Sequence, residues 1–228
     1  MPLGKQGKPV THIGQAFPDR VEVRGRDLAS ELMGEVSFTE YFHLLLTGRE
    51  PSDEQRFFLD LLLVAIAEHG LMPSNVVART TYAAAPESLQ GAVAAGILGA
   101  GSVILGAAED CAHLLVDARE RGARAVVTEL LAGGAHVPGF GHPLHKPLDP
   151  RAERIFELAD DGEHVALAQD LRGVVHEVYG KPLTLNVSLP IAAVLLDFGW
   201  PPEIVKAVPI LARTASLLAH LAEARNAR

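Results

Sequence analysis

Apolar residues recur along this chain at the spacing of helix turns, and no run shows sustained period-two alternation. A chain without alternating segments has to bury helices against helices, so the pattern predicts an all-α fold of ten or more helices. A short helix is expected over Asp27–Met33, ended by Gly34. Ser37 begins a second as half of a capping box with Glu40, and this one runs to Thr47 before Gly48. Asp53 is read as the cap of a third. Its core, Phe57–Ala67, is apolar nearly all round and is expected to be buried on most sides, with Gly70 beyond it. Further helices are predicted over Pro73–Arg79, Pro86–Gly99, Glu109–Gly122, Arg124–Leu131, Arg151–Asp160, Val165–Tyr179, Pro190–Phe198 and Glu203–Arg225, the last kinked by Pro209. No internal repeat or long low-complexity linker interrupts them.

At 48% hydrophobic, the 228 residues can bury a sizeable core. The net charge of −8 argues against nucleic acid, whose phosphates call for a basic surface. Cys111 stands alone, so no intrachain disulfide framework exists; a small buried residue in a reducing compartment is the simplest account. Met1–Thr11 carries no apolar run of the secretory kind, and a cytoplasmic location is expected. Gly91–Ala108 is uncharged and long enough to suggest a membrane span, but it is mostly Ala and Gly and weakly hydrophobic, so none is expected there. Gly91, Ala95 and Gly99 make a smooth face suited to close helix packing across a homodimer interface.

One loop breaks the helical pattern. Pro138–Arg151 places His142, His145, Lys146, Asp149 and Arg151 on a backbone stiffened by four prolines, with Gly139 and Gly141 flanking Phe140. A stiff loop bearing these groups suits an anionic substrate held beside a proton donor. His142-x-x-His145 with Asp149 also has a spacing that metal ligands use, but the prolines restrict how those groups converge, and no metal is expected. Elsewhere, His69 precedes Gly70 at a helix end, where it is either a C-terminal cap or a hydrogen-bond donor. Arg213 sits among Ile210, Leu211, Leu217 and Leu218, a setting for a buried carboxylate clamp or an internal salt bridge.

The loop Gly139-Phe140-Gly141-His142…Asp149-Pro150-Arg151 resembles the G-[YF]-G-H…D-P-R signature of the citrate synthase superfamily. Four more segments resemble that family in the same order: Val23–Leu28, Leu44–Pro51, Glu68–Ser74 and Ala212–His220. The resemblance implies a helical two-domain fold, a large domain from 1–107 and 202–228 around a small domain at 108–201, and a homodimer with acyl-CoA chemistry in the cleft. It implies that His69 and His142 donate to the hydroxyl or ketone oxygen of a citryl or oxaloacetyl group. Arg151 and Arg213 would clamp carboxylates, Val137, Pro138, Gly139, Phe140 and Gly141 would offer backbone to the adenine, and Lys146 would meet the CoA phosphates.

Two positions depart from the synthase pattern. Ile104, in Gly101–Ala107, stands where synthases carry the histidine that polarises the acetyl-CoA carbonyl. Ser188, in Asn186-Val187-Ser188, replaces their aspartate base, and a serine hydroxyl is no base near neutral pH without help. Ser188 is read either as the cap of the helix Pro190–Phe198 or as an altered catalytic position. The chain also ends soon after His220, without the arm that brings a further arginine to the partner's site in synthases. It is more similar to the short citryl-CoA lyases. The expected activity is retro-Claisen cleavage of a 3-hydroxy-acyl-CoA to an acyl-CoA and a 2-oxo acid. The alternatives are the reverse condensation and a non-catalytic protein that binds CoA and dicarboxylate. The ligands are an acyl-CoA and a di- or tricarboxylate; CoA enters as substrate, and no cofactor is expected.

Overall fold

The computed structural model describes residues 10–159 and 162–226. The polar segment up to Pro9 and the expected helix end at Asp160 lie outside them. The fold is helical, as the periodicity predicts: eleven α-helices among the described residues, preceded by one small sheet. The chain forms two compact units that meet in sequence at Asp60 and Leu61.

The first unit holds the feature that periodicity missed. Strands β1 (Gly14–Ala16), β2 (Val21–Val23) and β3 (Arg26–Asp27) form an antiparallel sheet in that order. Strands of two or three residues are too short to show an alternating pattern. The β2–β3 turn is instead legible in its dipeptide: Arg24 at φ +50° and Gly25 at φ +80° make the left-handed two-residue loop that suits a hairpin. Asp27 then accepts the amides of Ala29 and Ser30 and starts one wide turn, Leu28–Leu32, closed by Met33 N–H donating to Leu28 O. Helix α1 (Phe38–Thr47) begins with the expected Ser37/Glu40 capping box and ends on Gly48 at φ +73°. Arg24 donates to Leu45 O near that helix's C-terminus, and Val23, Leu32 and Leu44 form the small core.

Helix α2 (Asp53–Ala67) corrects two expectations. Its cap is Ser52, whose hydroxyl accepts Gln55 N–H while the Gln55 side chain accepts Ser52 N–H. Its apolar sequence is also not buried on most sides: Phe58, Leu59 and Leu62 are inside, whereas Phe57 and Val64 are 48% and 78% exposed.

In the second unit, α3 (Pro73–Ala84) and α4 (Leu89–Leu105) pack together and against α11 (Ala207–Asn226). The small residues of α4 serve this internal packing. A Cβ on Gly96 would lie 2.8 Å from the Leu217 methyls and 3.0 Å from Ala78, and one on Gly99 would lie 3.0 Å from Val77. Gly101, at φ +58°, breaks α4. The expected helix over Glu203–Arg225 divides at Lys206 into α10 (Pro202–Val205) and α11. Pro209 stands at the third position of α11, where a missing N–H costs nothing. Pro202–Asn226, not Gly91–Ala108, is long and apolar enough to cross a membrane, but it packs on α3 and α4 and buries Arg213.

The remaining helices are α5 (Ala107–Arg121), α6 (Ala123–Ala132), α7 (Pro150–Leu158), α8 (Glu163–Tyr179) and α9 (Ser188–Asp197). Every residue from Leu189 to Leu196 is buried, and α5, α7, α8 and α10 pack around them, as suits a helix that is apolar all round. Asp197 at the end of α9 caps α8, accepting the N–H of His164 and Val165 at 2.9 and 3.0 Å. Cys111 is fully buried, as expected of a small core residue, and burial pushes its thiol pKa up.

Candidate active site

The proline-rich loop is held by the segment that leads into α9. Gly141 N–H donates to Thr184 O at 2.7 Å, and Asn186 N–H donates to Gly139 O at 2.8 Å. The Asn186 side-chain amide donates to Gly141 O at 3.0 Å. Gly139 has φ +81°, and a Cβ there would fall 2.7 Å from Leu189 Cβ and 3.1 Å from Cys111 Sγ, so the loop backbone lies directly on the core.

Asp149 anchors the other end. It has no exposed surface, and its oxygens accept from Arg151 N–H (3.1 Å), Arg151 Nε (3.0 Å), an Arg151 terminal nitrogen (2.8 Å) and Val187 N–H (3.2 Å). Burial opposes its ionisation, but the bonds and charge of Arg151 outweigh that and hold the carboxyl below its usual range. Arg151, expected to carry a free clamp, is therefore already paired on one edge.

His69, in the turn after α2, meets His142 and His145. The His69 ring is 5.4 Å from His142 and 5.2 Å from His145, and His142 and His145 stack at 4.4 Å. One ring nitrogen from each lies within 4.8 Å of the others. Two amides fix the tautomer of His142: Leu144 and His145 N–H both donate to Nδ1, at 3.1 and 2.8 Å. Nδ1 is therefore an acceptor, and Nε2 carries the proton. Arg151 approaches Nε2 at 3.5 Å, too far to compete with the 2.8 Å bond in setting the tautomer. Burial, reinforced by His145, lowers the His142 pKa against the opposing charge of Asp149. Burial, then Arg151, His145 and Arg213, lowers that of His69. A proton-bearing Nε2 has no lone pair for a metal, Asp149 is committed to Arg151, and two guanidiniums stand close by. This donor set suits an anion better than a cation.

Arg213 carries the strongest sign of an anion-binding role. It is 3% exposed, its Nε and one terminal nitrogen are buried without a partner, and no carboxylate lies within ion-pair distance among the described residues. Burial pushes its pKa down, Glu68 opposes this, and Arg151 adds to it. An arginine stays charged in a protein, so a buried guanidinium with idle donors calls for an anion. His69 Nε2 is likewise buried and unpartnered. The internal salt bridge considered for Arg213 thus belongs to Arg151 instead.

Sequence reasoning missed the staple behind this corner. The Glu68 carboxylate accepts from Ser216 Oγ, from His220 Nε2 at 3.1 Å and from Gly70 N–H at 2.6 Å, tying the His69 turn to α11. Arg213, Ser216 and His220 follow one another at helical spacing, and Glu68 adjoins His69, so the signal was present.

Ser188 is the first residue of α9; its hydroxyl makes no cap, and Asn186 Oδ1 accepts Ser188 N–H at 3.0 Å in that role. The capping role expected for Ser188 is thereby corrected. Ile104 lies beyond the break in α4. Val137 is buried, and its carbonyl accepts Phe140 N–H at 3.2 Å. With Gly139 O and Gly141 N–H also engaged, part of the backbone expected to meet adenine is already used, Pro138 lies between, and Lys146 is exposed.

A sequence profile described as the C-terminal domain of citrate synthase matches residues 14–228. A citrate synthase of Synechocystis sp. is 29% identical over 82% of this chain and 50% of its own length. The chain thus spans about half the length of the curated relatives it matches. Citryl-CoA lyase from Hydrogenobacter thermophilus superposes with a TM-score of 0.88 at 32% identity, covering 96% of this chain and 87% of that one. ATP citrate lyase from Methanothrix soehngenii, solved with citrate and coenzyme A, shares the fold with a TM-score of 0.85 at 21% identity, over 99% of this chain and 40% of that one.

Proposed function

The chain belongs to the citrate synthase family of enzymes, and on that premise we propose that it is a citryl-CoA lyase-like enzyme, cleaving a 3-hydroxy-acyl-CoA into an acyl-CoA and a 2-oxo acid. The observation that carries this reading is the pair of buried, unpartnered donors on Arg213 and His69, grouped with His142 and Arg151 where a carboxylate-bearing hydroxy acid would fit. Arg213 binds one carboxylate, and the free edge of Arg151 binds another. His142 Nε2–H and His69 donate to the oxygen that becomes the carbonyl. The hydroxyl proton leaves to a base, its O–H electrons form the C=O bond, and the C–C bond breaks to a thioester enolate, which then takes a proton. Val137–Gly141 and Lys146 serve CoA.

In this reading His69 and Arg213 come from the large domain, 1–107 and 202–228, and His142, His145 and Arg151 from the small one, 108–201. The protein is a cytoplasmic homodimer that needs neither cofactor nor metal. Cleavage is preferred to condensation on the likeness to citryl-CoA lyase; Ser188 supplies no carboxylate and Ile104 no donor to the thioester carbonyl, so in either direction the enolate exchanges its proton with water. The same two residues favour one other reading, a paralogue that binds CoA and dicarboxylate without turnover. Mixing the protein with citryl-CoA and coupling released oxaloacetate to NADH oxidation separates them. Stoichiometric acetyl-CoA and oxaloacetate support the lyase; binding without products supports the paralogue; faster condensation than cleavage at matched saturation would overturn the proposed direction.

A further inference from the structure

Resting on the lyase reading, we propose that His145 is a third substrate-touching histidine and the base that accepts the hydroxyl proton. One ring nitrogen from each of His69, His142 and His145 lies within 4.8 Å of the others, so a single oxygen can be shared among them. Three ring nitrogens no more than 4.8 Å apart define a triangle whose centre is at most about 2.8 Å from each corner, the length of a hydrogen bond to oxygen. A hydroxyl oxygen there can accept from two imidazoles and donate to the third.

The base follows by elimination among the three rings. His142 cannot accept a proton at Nδ1, where two amides already point, and its Nε2 already carries one. His69 would become a buried cation beside Arg151 and Arg213, two guanidiniums that stay charged. His145 uses its main-chain amide, not its ring, to fix His142, and its ring stacks on His142 with planes 29° apart. The titratable groups facing it are His142 and Asp149 on its own loop and His69 on the turn after α2, with Arg151 of α7 beyond His142. Asp149 sets a buried negative charge near a His145 cation. The step balances: the His145 lone pair takes the hydroxyl proton, the freed pair forms the carbonyl, the C–C bond pair passes to the thioester enolate, and the enolate takes a proton from solvent.

The test is citryl-CoA cleavage by wild type, His145→Gln and His145→Ala, with oxaloacetate affinity measured alongside. His145→Gln should lose about 10²- to 10⁴-fold in kcat, the range for general base catalysis, with oxaloacetate affinity changed by less than about tenfold. Any acid-side fall of kcat/KM that wild type shows should be lost in His145→Gln, and added imidazole should restore part of the rate to His145→Ala. Retained oxaloacetate binding shows that the variants are folded. Cleavage by wild type with an unchanged rate and pH profile in His145→Gln would overturn the assignment alone. Equal loss of rate and of oxaloacetate binding, without imidazole rescue, would overturn the base role and leave His145 a structural residue. No cleavage by wild type would overturn the lyase reading and this assignment with it.

Discussion

Arg151 and Arg213, near enough for the charge of one to act on the other, stand in opposite states. Arg151 is bound by Asp149 through two guanidinium nitrogens, and the buried carboxylate also holds the Arg151 and Val187 amides, so this corner is complete without a ligand. Arg213 is more deeply buried, yet two of its nitrogens have no partner. Glu68 is near enough to feel its charge but is occupied by Ser216, His220 and Gly70. One corner therefore fixes the shape of the site, and the other leaves free energy to be gained when an anion arrives. A binding site needs both: a partner that is already satisfied adds little affinity, and one that is left idle costs stability.

The difference can be broken from either side. Asp149→Ala should have the largest effect, on the order of 3 kcal/mol of unfolding free energy by urea denaturation. That is the low end for a broken buried pair, because the Arg151 side chain is 19% exposed. A loss below about 1 kcal/mol would mean that the corner is not held by this pair. Arg213→Met should change the stability of the ligand-free protein by no more than about 1 kcal/mol, or raise it, since it replaces an idle buried charge with an apolar chain of similar volume. A large loss would show that Arg213 is already satisfied from within.

The pH dependence should separate the two corners by direction alone. His69 and His142 have folded pKa values below 6.5, burial first among the causes. Below pH 6.5 the unfolded chain takes up protons that the folded pocket resists. Their effect is therefore a fall in stability as the pH drops from 6.5 toward the folded values, with none above it. The Asp149 carboxyl lies below 3.8, so its contribution persists until the pH falls below 3.8 toward the folded value. Thermal unfolding should show a first decline just below pH 6.5 that is reduced in His69→Gln/His142→Gln and retained in Asp149→Asn. Ser188→Asp should have the smallest effect. At the first position of α9 an aspartate is tolerated by the helix dipole, so stability should hold. Exchange of acetyl-CoA methyl protons into deuterated buffer should rise modestly, limited by Ile104. Fast exchange in wild type would mean that another base already operates.

The same contrast explains what could be read in advance. Long helices were legible because their periodicity and caps are local: Ser37 with Glu40, and Gly48 after Thr47, act as the sequence implies. The sheet was not, since strands of two or three residues carry no period. The capping rule admits Asp53 as readily as its neighbour Ser52, and only geometry picks Ser52. For the site, sequence named His69, His142, Arg151 and Arg213 but not their states. Whether an arginine is paired depends on a carboxylate's position in space. Asp149 was visible two residues from Arg151, whereas the Glu68 contact with Ser216 spans 148 residues. His145, which the sequence assigns to the functional loop without a role of its own, gains one once the tautomer of His142 is fixed by two amides.

The central claim is that the idle donors of Arg213 await a carboxylate. Calorimetric titration of oxaloacetate into wild type and Arg213→Met tests it most directly. Removing a charge-assisted hydrogen bond is worth about 1.5–3 kcal/mol, so the dissociation constant should rise by roughly 10- to 100-fold in the variant. Equal affinity in the two proteins would contradict the account.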